Sequence, residues 1–157
     1  ADDLWLPDKL AKQTSFMKEN NLQFTFCDYE KKISDRRTIE VKSIKKILSY
    51  ENLISSCDIG LSTVQINKNI IPDELFPPLK TKEDYVAWLR LTKNKILANN
   101  FSENLVIWNK TKKSLSSSFF QKISDAFRVY NKYEKLNYIK SIFCTLRLGI
   151  KSLKRKF

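Results

Sequence analysis

The sequence contains no histidine, and that absence excludes more chemistry than any residue present suggests. Ser-His-Asp and Cys-His nucleophile systems, HExxH zinc sites and any imidazole general base are ruled out. Glycine is almost as scarce, with Gly60 and Gly149 standing far apart. A Walker loop and a GxGxxG dinucleotide turn both need clustered glycines, so the chain holds neither. Chemistry must therefore run on carboxylates, hydroxyls, lysines or a metal held by oxygen ligands. Cys27, Cys57 and Cys144 are an odd number at unrelated spacings with no CxxC. They read as reduced core residues, which makes a cytoplasmic setting the expectation. No run approaches the ~20 apolar residues of a membrane span, and the first residues show no signal-peptide pattern.

What is present suits a folded domain. The 157 residues are 42% hydrophobic and 12% aromatic, enough for a substantial core. The net charge of +12 is unevenly spread. Residues 1–103 are nearly balanced, whereas residues 104–157 carry thirteen basic side chains against Asp125 and Glu134 alone. Such asymmetry suggests an anionic partner: a phospholipid leaflet, a nucleic acid or a phosphate-bearing substrate. A solvated lysine-rich surface is the plainer alternative.

Periodicity predicts alternating elements. Pro7 and Asp8 open a helix with Leu10, Thr14 and Met17 on one face, ending near Asn20. Residues 22–29 alternate as a strand, followed by a charged connection from Glu30 to Arg37. Ser49 caps a short helix, and Ile59–Ile66 reads as a second strand. Pro72, Pro77 and Pro78 mark a loop. Thr81 then resembles the N-cap of a helix carrying Tyr85, Trp88, Leu89 and Leu91. Glu103–Trp108 is a third strand. Two helices close the chain, the first with Phe119, Phe120, Ile123, Phe127 and Tyr130 on its apolar face. The second carries Ile139, Ile142, Phe143, Leu146, Ile150 and Leu153. The expected fold class is α/β with a thin mixed sheet, flanking helices and a helical tail.

Four clusters bear on function. Asp2 and Asp3, before the first helix, could bind a hard cation such as Mg²⁺ or Mn²⁺, although helix capping is the plainer reading of two adjacent acids taken alone. Glu83 and Asp84 stand at a helix start after the proline-rich loop. A carboxylate there could take a proton from a hydroxyl, but the helix dipole should make it a weaker base. Trp5, Tyr85 and Trp88 could stack on sugars, or simply fill the core. The closing helix sets its apolar line beside Lys140, Arg147, Lys151, Lys154, Arg155 and Lys156, a pattern suited to lying on an anionic leaflet.

In order, these pieces resemble family-2 glycosyltransferases. Residues 1–10, ADDLWLPDKL, are similar to that family's D-(A/S)-D-D-x-W-x-P-x-K-L segment, which holds the metal-binding DxD motif. Ser62-Thr63-Val64 resembles its S-(T/S)-V strand, and Lys82-Glu83-Asp84-Tyr85 through Trp88-Leu89 its (R/K)-E-D-Y-x-x-W-L helix start. Glu103-Asn104-Leu105, then Ser114-Leu115-Ser116, resemble its E-x-L strand and S-x-S helix entry. The likeness covers about residues 1–120. It lacks the first Asp of DxD and the family's nucleotide-binding βαβ half.

The resemblance implies the distal part of a GT-A fold over residues 1–112, followed by basic amphipathic helices over 113–157. A chain of this kind is expected to be a C-terminal portion of a longer enzyme, inactive by itself. The implied reaction is inverting transfer from a nucleotide-diphospho-sugar to a saccharide or lipid-linked acceptor of a bacterial surface polysaccharide. By the same resemblance Asp84 is the catalytic base, and Asp2 and Asp3 hold Mg²⁺ or Mn²⁺. Glu83 and Trp88 would shape the acceptor side, with Trp5 on the donor side. Peripheral contact with the inner face of an anionic membrane is the expected association, and no nucleic acid is expected. The alternatives are a non-catalytic remnant and a basic module binding nucleic acid or an anionic surface.

Overall fold

The computed structural model describes residues 3–34, 37–109 and 119–154. Strand β1 (Leu4–Trp5) leads into helix α1 (Lys9–Glu19), then the long β2 (Phe24–Ser34) and β3 (Arg37–Val41). Next come β4 (Ile47–Leu48), the short α2 (Tyr50–Leu53) and β5 (Val64–Ile66). Helix α3 (Glu83–Lys93) precedes β6 (Ala98–Asn109). After it come α4 (Phe119–Arg128), a π-helical turn at Val129–Tyr133, and α5 (Tyr138–Lys154). The fold is mixed α/β, and the described residues form a six-stranded sheet where the sequence pattern marks three strands.

Two long strands make the spine of the sheet. β2 and β6 pair in parallel, and each is flanked by short antiparallel strands: β5 and β3 along β2, β4 and β1 along β6. The charged stretch expected as a connection, from Glu30 onward, continues β2 and pairs with β3. Lysine and glutamate disfavour strands only weakly when one face meets water and a neighbour supplies the ladder. The strand expected over Ile59–Ile66 is shorter. Leu61–Thr63 form a 3-10 turn, so the Ser62-Thr63-Val64 motif enters its strand only at Val64.

The main core lies between the sheet and the helices. Phe24, Phe26, Leu53, Tyr85, Trp88, Leu89 and Tyr130 are all buried there. Seven of the eleven residues of α3 are buried, so this helix runs through the interior. Two buried tyrosines, Tyr85 on α3 and Tyr130 in the π-helical turn, reach acceptors inside the core: the Tyr85 hydroxyl donates to the Leu53 carbonyl (2.7 Å), and that of Tyr130 to the Ile54 carbonyl (3.1 Å). Burial, first of all, pushes both phenols upward, Tyr130 to about 12.

Several faces differ from the periodic reading. On α1 the buried positions are Lys9, Gln13 and Met17, while Leu10 is exposed. The Lys9 ammonium donates to Gln13 Oε1 (3.0 Å), and Gln13 Nε2 donates to Thr25 Oγ1 (3.0 Å), so hydrogen bonds make this polar face buriable. Asp8 takes the N-cap place of α1, so Pro7 stands just outside the helix expected to open with it and Asp8. On α4 the inward residues are Asp125 and Ala126, with Val129 and Tyr130 following in the π-helical turn; Phe120 and Ile123 face outward. The expected boundary between residues 112 and 113 lies outside the described residues, as do Ser114 and Ser116.

Candidate functional site

The start of α3 is held from a distance. Asp125 on α4 is fully buried, and its Oδ2 accepts from the Thr81 backbone N–H (3.0 Å), the Thr81 hydroxyl (2.9 Å) and Gln121 Nε2 (2.9 Å). Thr81 is therefore committed to Asp125 and does not cap the helix. The N-cap is Lys82, in the left-handed region at φ 71°. That region is costly for a side chain with a Cβ, and the Thr81–Asp125 hydrogen bonds anchor the residue just before it. One residue later come Glu83 and Asp84.

Both acids face a cavity of about 500 Å³, and Asp3 lines the same cavity from the approach to β1. Asp58, Lys80, Lys82 and Trp108 complete much of its wall. The Leu61–Thr63 turn forms another side, fixed by the Trp5 Nε1–H, which donates to the Ser62 carbonyl (2.8 Å), and by Gln13 Nε2, which donates to the Thr63 carbonyl (3.2 Å). A second cavity, of about 590 Å³, shares Tyr29, Asp58, Gly60 and Thr63 with the first. Arg147 and Lys151 of α5 reach its wall, and the Lys151 ammonium donates to Ser55 Oγ (2.9 Å).

Asp84 has a raised pKa. Burial is the main cause and the neighbouring Glu83 carboxylate adds to it; Lys82 and the Tyr85 N–H, which donates to Asp84 Oδ1 (2.7 Å), oppose the shift. The helix-dipole expectation of a weakened base is thus outweighed: a carboxylate with raised pKa is a better proton acceptor. Glu83 Oε2 is buried and accepts no hydrogen bond among the described residues. A buried acceptor of this sort is costly unless something arrives to donate to it.

The structure brings Asp3, Glu83 and Asp84 to one cavity and leaves two aromatic expectations elsewhere. Trp88 is only 1% exposed and does not line the cavity; its indole packs against Phe24 (5.3 Å between centroids) and Phe76 (6.2 Å). It supports α3 from behind and presents no face to an acceptor. Trp5 is half exposed and outside the cavity wall, with the Lys9 ammonium 4.1 Å above its ring. Asp2 lies outside the described residues. Among the described residues, no three acids, cysteines or histidines converge as a metal site. Mg²⁺ commonly takes one or two carboxylates and completes its shell with substrate phosphates and water, so the Asp3 carboxylate on an open cavity fits such an ion. Sequence reasoning missed Gln13 and Asp58, which stand in no motif, and gave no role to Lys9 although it matches the Lys of the P-x-K-L segment.

Sequence comparison bears on what this cavity serves. No protein-family model matches the chain. Glycosyltransferases, however, are similar to it over most of its length. The Bacillus subtilis glycosyltransferase TuaG, named for teichuronic acid biosynthesis, is 28% identical over 99% of this chain and 62% of its own length. Escherichia coli WfgD, a UDP-Glc:α-D-GlcNAc-diphosphoundecaprenol β-1,3-glucosyltransferase, is 31% identical over 88% of this chain and 58% of its own. An uncharacterized Haemophilus influenzae glycosyltransferase is 32% identical, with 91% and 57% covered. The chain is a relative of glycosyltransferases, in keeping with the family-2 likeness of its motifs. It spans about three-fifths of the length of these relatives.

Proposed function

We propose that the chain forms the acceptor-side portion of an inverting, GT-A type glycosyltransferase. The reaction moves a sugar from a nucleotide-diphospho-sugar to a hydroxyl of a saccharide or lipid-linked acceptor in surface polysaccharide synthesis. The observation that supports this most is the meeting of Asp3 and Asp84 on one cavity, with the Asp84 pKa raised. Substrates of this class are those named for WfgD and suggested by the name of TuaG.

In this reading the acceptor oxygen attacks the anomeric carbon while its proton passes to Asp84. The bond from that carbon to the diphosphate breaks, and the diphosphate leaves with the electron pair. Attack opposite the leaving group inverts the configuration. Glu83, with its orphaned Oε2, accepts from an acceptor hydroxyl and keeps Asp84 basic by repulsion. Asp3, together with Asp2, would hold Mg²⁺ or Mn²⁺. When bound, that ion neutralises charge gathering on the departing diphosphate. Trp5 braces the Ser62 side of the cavity and borders the donor through it. Trp88 acts as a positioning residue through its packing behind α3. A cytoplasmic setting accords with Cys27, Cys57 and Cys144, none of which is joined in a disulfide.

The test is Asp84→Asn in the active transferase carrying this sequence. Transfer should fall at least about 100-fold, the usual contribution of a general base, with donor affinity nearly unchanged. Normal turnover in that variant would overturn the assignment, and product of retained anomeric configuration would overturn inversion.

A further inference from the structure

Helix α5 presents its apolar side to water. Ile139, Ile142, Phe143, Leu146 and Ile150 are all exposed, Phe143 at 66% and Leu146 at 62%. At about 3.6 residues per turn these five form one stripe, diametrically opposite the buried Ser141 and Leu148. The stripe extends toward α4 where the Phe127 ring stands edge-on to that of Tyr138, 5.2 Å between centroids. A continuous apolar line of this length calls for cover.

The charge around the stripe says what covers it. Residues 104–157 contain only two acids, and both are buried: Asp125 against Thr81, Glu134 against Lys93 (2.9 Å) and Tyr50. The described surface of α4, the π-helical turn and α5 therefore shows cations and no carboxylate, with Lys132, Lys135, Lys140 and Arg147 exposed. Lys140 and Arg147 run along one flank of the stripe. Packing two copies stripe to stripe would oppose like charges across an isologous interface. A surface that is apolar within and anionic at its face meets both demands.

We propose that α5 lies in the plane of an anionic phospholipid leaflet, the Ile139–Ile150 stripe among the acyl chains and Lys140 and Arg147 among the phosphates. Among the described residues no helix is long and apolar enough to cross a membrane, which suits an in-plane helix. Arg147 and Lys151 also wall the 590 Å³ cavity, so this pose brings its mouth to headgroup depth. The inference does not depend on the transferase reading, because it concerns a different surface and its test needs no turnover.

Flotation of the 157-residue chain with vesicles is the measurement. One set is pure phosphatidylcholine, and the other contains about one-third phosphatidylglycerol. The chain should float with the anionic vesicles and lose part of that binding in high salt. Phe143→Asp with Leu146→Asp should cut partitioning at least about tenfold. Lys140→Gln with Arg147→Gln should lower it about tenfold on the anionic vesicles alone. Phe143→Ser with Leu146→Ser repeats the first comparison without adding charge, and circular dichroism verifies the fold. Equal recovery with both vesicle types overturns the proposal. So does anionic binding untouched by the apolar variants, or a dimer in light scattering that those variants dissolve without any vesicle binding.

Discussion

Helices α3 and α5 carry similar apolar spacing and meet opposite fates. α3 is enclosed on nearly every side, so Val86, Leu89 and Leu91 lose their contact with water together with Trp88. α5 buries Ser141 and Leu148 and turns its bulkiest residues outward. Periodicity identifies the apolar side of a helix but says nothing about what will cover it. For α3 the cover is the sheet and α2. On α5 the stripe from Ile139 to Ile150 stays exposed among the described residues.

That contrast can be broken at four points. Trp88→Ala should cost about 3–5 kcal/mol in urea denaturation, since the cavity left between Phe24 and Phe76 cannot collapse fully. A loss below about 1 kcal/mol would mean α3 is less enclosed than its burial indicates. Asp125→Ala should cost about 3 kcal/mol by the same measurement, because it strands the Thr81 N–H and hydroxyl without an acceptor. Asp84 gives a pH signature. Its pKa in the fold lies above its unfolded value, so its share of stability is complete below about pH 3.9 and declines as pH climbs through the raised value. Asp84→Asn should remove that decline and be the more stable form at neutral pH, as read from denaturation midpoints across pH 4 to 7. Phe143→Ala should change solution stability by less than about 0.5 kcal/mol, the smallest effect of the four, because no core contact is lost.

Much of the layout was legible from residue order. The helix beginning at Glu83, the strand through Leu105 and the Ser49 cap all stand where pattern and motif set them; the Ser49 N–H donates to Asn52 Oδ1 at 3.1 Å. The likeness to glycosyltransferases rested on short motifs, which are local by nature. What escaped was decided by distant partners. Leu10 is exposed while Lys9 is buried because Gln13, Thr25 and the Trp5 ring provide a polar pocket no local pattern reveals. Thr81 stands like a cap in the sequence, yet Asp125 claims its hydroxyl from 44 residues away. Trp88 occupies a motif position expected at the acceptor, whereas its side of α3 faces the core. The short strands β1 and β4 are two residues each, too brief for any alternation to show.

The grip of Asp125 on Thr81 has a consequence for how such a protein tolerates change. The start of the helix that carries Glu83 and Asp84 is anchored by a helix that contributes neither acid, so a change in either part is felt by the other. A shortened version ending after β6 would retain each carboxylate in its sequence yet lose the brace that aims them. Exchanging the closing helices with those of a relative should succeed only when the donor brings its own acid to the place of Asp125.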